Sequence, residues 1–234
     1  DLLNSNQIAA LTTSQIAALG SKQVAALGTV GASALTTSQI SALSTIGIPG
    51  LSAAQVSALS AAQIEALKSD QVAVLTATQV AGLDAADLGV FTTAELAVLS
   101  SSAILGLSSE TLAGLSADRL SVLGTASVSG LSTAQIASLT SDQLPGLTTA
   151  QVASLGSRQI AALSSASVGL LTTSQIAALS TAGITGLSSA QIAAMSTVQI
   201  EALTSTQVAA LTSAQIGALG SDDFAALSTA DLAS

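Results

Sequence analysis

The sequence predicts an all-α fold, a solenoid in which each eight-residue repeat makes one short helix. Three observations carry that expectation. A large apolar residue recurs every eight residues without slippage from Leu3 to Leu227, and only Phe91 and Met195 depart from Leu. A second apolar row follows five residues later, running Ile8, Ile16, Val24 and on to Leu232, with Ala32 its one small member. Between the rows, a Ser or Thr after the Leu is followed three residues on by Gln or an acid in most octads. A short period held this strictly is the mark of an array whose units stack on their neighbours.

Numbered from its Leu, the octad reads Leu-(Ser/Thr)-(Ser/Thr/Ala)-x-Gln-(Ile/Val)-Ala-Ala. Positions two and five form a capping box. The hydroxyl accepts from the backbone N–H of position five, whose own side chain reaches back to the N–H of position two. Position one then precedes the cap and position six is the fourth helical residue, the pair that closes a hydrophobic staple. Ala at positions seven and eight supplies helix propensity, and the small residue at position eight leaves room for close helix approach. Where position two is Gly, as in Leu19-Gly20-Ser21, the expectation is that Gly20 ends the preceding helix and Ser21 caps the next. Each octad should therefore make a helix of about five or six residues, roughly 8–9 Å long.

Two rival folds fit the spacing less well. In one continuous helix, eight residues rotate about 800°, so the Leu row would drift about 80° per octad and no seam would survive. A β-solenoid is the alternative. It would want apolar residues two apart and corners of Gly, Asn and Asp, whereas the two large apolar positions here are five apart and Asn occurs only at Asn4 and Asn6. One octad buries too little to offset the ordering of eight residues, so stability must come from stacking.

Residues 1–234 read as one array of 29 octads with no insertion. The array carries a second period of 17 octads, because the deviant positions move together. Lys22 matches Arg158, Gly47-Ile48 matches Gly183-Ile184, Glu65 matches Glu201 and Asp87 matches Asp223. A block duplication explains this, and the chain reads as a fragment of a longer parent.

Composition excludes whole classes of chemistry. The chain has no Cys and no His, so thiol nucleophiles, disulfides, Cys-His zinc sites and Ser-His-Asp triads cannot be built. Four Lys+Arg against thirteen Asp+Glu give a net charge of -9, so no nucleic acid partner is expected. Mean hydropathy is +0.71, yet Ser, Thr or Gln interrupts every apolar run, so no membrane span is expected. No signal peptide is visible either.

The individual candidates for chemistry read as structure. Asp222-Asp223 is a cap and a solvated face, and Asp84 with Asp87 occupies positions two and five of its octad, a capping box. Gly47-Ile48-Pro49-Gly50 and Leu144-Pro145-Gly146 read as turns at weak octads, not phosphate loops. Arg119, standing where Gln is usual, reads as a solvated charge. The expectation is no catalytic, cofactor-binding or metal-ligating residue, no cofactor, and no enzyme. Two substitutions calibrate the inside face. Leu131→Asp should cost several kcal/mol by burying an unpaired charge, and Gln135→Ala about 1 kcal/mol or less.

The run Leu171-Thr172-Thr173-Ser174-Gln175-Ile176-Ala177-Ala178 resembles the Leu-Thr-Thr-x-Gln-Ile-Ala-Ala octapeptide arrays of very large bacterial secreted and surface proteins. That resemblance covers nearly the whole chain and implies an extracellular or cell-surface structural segment. The Leu-Thr-x-x-Gln-Val start is also similar to the opening of the repeats of TAL effectors, but their longer period and base-reading loop are missing and the charge is wrong for DNA. The functional expectation is a structural protein that associates with copies of itself into surface filaments or sheath-like fibres. A monomeric adhesin stalk is the alternative, and glycan or ice binding on the Ser/Thr rows a third.

Overall fold

The structure is a computed structural model that describes residues 4–229; Leu3, Asp231 and Leu232 of the octad pattern lie outside the described residues. Among the described residues there are 26 short α-helices, two 3-10 helices and no strand. The helices are four to six residues long, one per octad, and together with the two 3-10 turns they make the all-helical solenoid that the sequence predicts. The chain divides into two compact units, Asp1–Leu115 with Val122–Gly130, and Ser116–Ser121 with Leu131–Ser234.

The start of most helices follows from the octad itself. At Thr13–Ala17, the Thr12 N–H donates to Gln15 Oε1 at 2.8 Å and the Gln15 N–H returns to Thr12 Oγ1 at 3.3 Å. Thr12 is extended, at φ -71 and ψ 156, so its carbonyl opens the helix while its backbone leaves it. The end is equally local. The Leu19 N–H donates to the Ile16 carbonyl at 3.1 Å, a tightened last turn that takes up one orphan acceptor. The same end bond recurs at Leu67 on Ile64 and Leu203 on Ile200. The Leu then turns out into the next cap.

Two local expectations are corrected. Gly20 does not end the preceding helix; it is itself the N-cap of Ser21–Ala25, extended at φ -84, with its N–H on Gln23 Oε1 at 2.8 Å. Ser21 is the first helical residue, not the cap. The acceptor half of the box suffices, so the octad register does not shift when position two loses its hydroxyl. Leu144-Pro145-Gly146 is not a free turn but belongs to the helix Gln143–Gly146. Pro145 stands at octad position seven, as Pro49 does, with no N–H for a carbonyl four residues earlier, and the helix is only four residues long. Gly47-Ile48-Pro49-Gly50 does weaken its octad, as expected. Only the 3-10 helix Ile48–Gly50 forms there, whereas the counterpart 17 octads on, with Thr185 for Pro49, makes the full helix Thr181–Gly186. Pro49 cannot donate to a carbonyl four residues earlier, and Thr185 can.

The turn of the solenoid is legible from contacts at fixed separations within each unit. Gly50 sits so close to the turn beneath it that an added Cβ would overlap the Ser21 carbonyl oxygen, and at Gly186 the same atom would overlap that of Ser157. In both cases position eight of one octad meets position three of the octad three earlier. The hydrogen bonds described below span 28 and 31 residues, reaching octads three and four earlier. Together these contacts set a turn of about three and a half octads. Both apolar rows point inward. The position-six residues Ile16, Ile64, Leu96, Ile160 and Ile200 are fully buried, and Leu67 and Leu187 of the first row nearly so.

Candidate functional site

The feature that repeats through both units is a glutamine tie between turns. The Gln39 Oε1 accepts from the N–H of Thr36 at 2.8 Å, closing the box of its own helix. Its Nε2 points the other way and donates to the Ile8 carbonyl at 2.9 Å and the Leu11 carbonyl at 2.8 Å, one turn earlier. Gln71 does the same to Ile40 and Leu43, both at 2.8 Å. In the second unit Gln191 donates to Ile160 at 3.0 Å and Leu163 at 2.7 Å, and Gln215 to Ile184 and Leu187, both at 2.7 Å. One carboxamide thus satisfies an orphan donor at the start of its helix and orphan acceptors at the end of another. Gln39, Gln71, Gln191 and Gln215 are buried accordingly.

Sequence reasoning saw only half of this. It placed Gln as the reciprocal partner in a capping box, a task that Glu performs as well. The missed signal was the bias itself, 17 Gln against four acids at position five. A carboxylate has no N–H to donate, so only Gln both caps its own helix and ties the turns.

Position five is not Gln in six successive octads, where Asp87, Glu95, Ala103, Thr111, Arg119 and Ser127 stand. Asp87 accepts from the Asp84 N–H at 3.1 Å while Asp84 caps the Asp87 N–H at 2.8 Å, the box expected for this pair. Burial raises the Asp87 carboxyl above its ordinary 3.8, the Asp84 N–H opposes this, and the nearby Asp84 charge adds to it. Glu95 accepts from the Thr92 N–H at 2.7 Å and is buried. Ser127 reaches back to the Leu99 carbonyl. Arg119 is a correction, being half-buried rather than a solvated charge, as its place in the glutamine row requires. Asp223 accepts from the Gly220 N–H at 3.0 Å, so it caps its helix, and Asp222 lies exposed beside it.

The Ser/Thr rows are largely engaged. Ser52, Ser60, Thr148 and Ser188 each accept the N–H of their own position-five Gln. An open hollow of about 520 Å³ in the first unit brings together Thr13, Ser14, Ser44, Lys68 and Asp70, but Lys68 and Asp70 are both exposed there. Among the described residues no three His, Cys, Asp or Glu are grouped as metal ligands would be. No helix among them is long and apolar enough to cross a membrane.

A family model described as the ALTTAQ repeat matches residues 2–29, 48–77, 117–149, 147–181 and 177–213, together about two thirds of the chain. The chain belongs to the ALTTAQ repeat family. The matched segments of this ALTTAQ array run about one solenoid turn or slightly more, and the octads at Asp87, Glu95, Ala103 and Thr111 fall between them. No curated protein matches the chain.

Proposed function

We propose that this ALTTAQ array is a non-enzymatic structural protein of the cell exterior whose copies associate into filaments or sheath-like fibres. The observation that carries the reading is the tie itself. It is made from backbone carbonyls and one repeated side chain, so any turn of octads that carries these glutamines is an acceptable neighbour for any other. Such an interface is its own template. The outer positions support the reading too, because Ser, Thr and Ala predominate and charged residues are only 7% of the chain, leaving little repulsion to oppose association. The resemblance to octapeptide arrays of large bacterial secreted and surface proteins supports a role outside the cell. Glycan or ice binding is less favoured, since many position-two hydroxyls already serve as caps. Electron microscopy of the purified chain over a concentration series tests the proposal. Continuous fibres or multimers growing with concentration are expected, and separate single chains at every concentration would refute it and favour the monomeric stalk.

A further inference from the structure

Glutamine is missing from the fifth octad position in two ways. Gly31 and Gly47 are separated by Gln39, and Ser167 and Gly183 by Gln175. The run Asp87, Glu95, Ala103 and Thr111 instead empties a whole turn inside the first unit. Ties spanning 31 and 28 residues would bring these four octads to carbonyls running from Val56 and Leu59 to Val80 and Leu83. Among the described residues, and apart from the local bond of Leu83 on Val80, no carbonyl of residues 51–82 accepts a hydrogen bond from residues 83–114. The boundary one turn earlier is fastened differently. Gln55, Gln63, Gln71 and Gln79 all donate to carbonyls within residues 24–48, and the Ser41 hydroxyl adds a bond to the Ala66 carbonyl at 2.7 Å. What remains between 51–82 and 83–114 is packing. Ile64, Val72, Leu88 and Leu96 are fully buried, and so is Phe91, bulkier than the Leu usual at its position. A Cβ added at Gly106 would overlap the Ala77 carbonyl oxygen, so the two turns lie in close contact.

We infer that the boundary between residues 51–82 and 83–114 is a yield point, where the array opens reversibly under tension before its tied turns do. Apolar burial does not distinguish this boundary, because the same two rows are buried on both sides of it. The tied boundaries add side-chain donors on carbonyls, and this one adds none. Charge works in the same direction. Residues 83–114 carry Asp84, Asp87, Glu95 and Glu110 with no Lys or Arg among them, so the turn repels itself. Once parted from its neighbour, a turn loses the stacking that stabilises its octads, so opening converts it to extended chain. Closing restores the burial of Phe91 and the close approach at Gly106, so the step is reversible. The gap is also part of the repeating block. Acids stand again at position five at Asp223 and Asp231, 17 octads beyond Asp87 and Glu95, with Asp231 outside the described residues. The family pattern lapses over the same stretch, between residues 77 and 117. A structural array loaded along its length thus has a set place to give, and a single chain has it whether or not copies associate.

Optical tweezers pulling the full chain by its two ends test this, with two variants beside the wild type. Asp87→Gln with Glu95→Gln and Thr111→Gln restores three donors to the untied turn. Gln191→Glu with Gln199→Glu and Gln207→Glu removes three ties from the second unit and keeps their cap acceptors, as Glu95 does on Thr92. Circular dichroism checks that each variant is helical. The wild type should show one reversible event at the lowest force. It should lengthen the chain by about 100 Å, as drawing out residues 83–114 requires. At a fixed force the restored variant should open about tenfold more slowly or slower still. The variant stripped of ties should gain a second low-force event of similar length. If the restored variant loses helix, the stripped variant decides. A restored variant that yields as the wild type does, a stripped variant without a second event, or a wild type that first yields by much more than one turn would overturn the inference.

Discussion

Two neighbouring stretches of the first unit, residues 51–82 and 83–114, contain four octads each and differ most at one position. In the first, position five is Gln55, Gln63, Gln71 and Gln79; in the second it is Asp87, Glu95, Ala103 and Thr111. Helices form in both, and the core rows are buried in both, from Val56 and Ile64 to Leu96 and Leu112. What changes is the tie. Gln63 holds the Ala32 and Leu35 carbonyls at 3.2 and 2.6 Å, whereas Glu95, buried in the equivalent place, has no N–H to offer the turn before it. The difference separates two roles the octad combines. Helix start and burial are carried by the cap and the two apolar rows; the glutamine adds a hydrogen-bonded tie between turns.

The largest expected effects ignore that difference. Leu131→Asp, at a residue 3% exposed, should cost several kcal/mol in chemical denaturation because a buried charge is left unpaired. Ile64→Ala and Leu96→Ala should each cost about 2–5 kcal/mol, whichever stretch they fall in. Unequal losses there would mean that the second stretch packs less well, and that the tie is not the variable. Next comes the tie. Gln71→Ala should cost about 2–3 kcal/mol, since two carbonyls lose a donor as well as the cap losing its acceptor. Gln15→Ala, which loses only its cap bond, should cost under about 1 kcal/mol. This revises upward the small value that a capping role alone assigns to buried glutamines such as Gln135.

A gain sharpens the comparison further. Glu95→Gln should stabilise the protein by about 1–2 kcal/mol by donating to the turn before it, and hydrogen exchange in residues 83–114 should slow. The smallest effect concerns Asp87, whose folded-state pKa lies above its unfolded value. Ionisation therefore weakens the fold. The deficit of the wild type relative to Asp87→Asn should be fully present above the raised pKa and vanish as pH falls below the ordinary 3.8. A deficit that grows on acidification would show the Asp84 N–H, not burial, to be in control.

Much of this was legible in the residues. The period located most helices, because cap and staple positions coincide within the octad, as at Thr12 with Gln15 and Leu11 with Ile16. The inside face was legible too. The number of octads per turn was not, since it depends on how far one carboxamide reaches across space, to Ile8 and Leu11 from Gln39, and no local pattern encodes that reach. Gly20 misled because its special freedom suggested a helix end, while its position in the register made it a start. Arg119 misled because a charge read alone looks solvated, and only its place in the glutamine row says otherwise.

The central claim is that the chain closes a turn about every three and a half octads within each unit. The absence of cysteine permits clean placement of spin-label pairs at exposed sites in the first unit. Ser33 with Ala61 are three and a half octads apart, and Ala17 with Ser33 only two. Pulsed electron paramagnetic resonance should find Ser33 closer to Ala61 than to Ala17, because the first pair sits on adjacent turns and the second on opposite sides of one. Distances that rise steadily with separation along the chain would contradict the account.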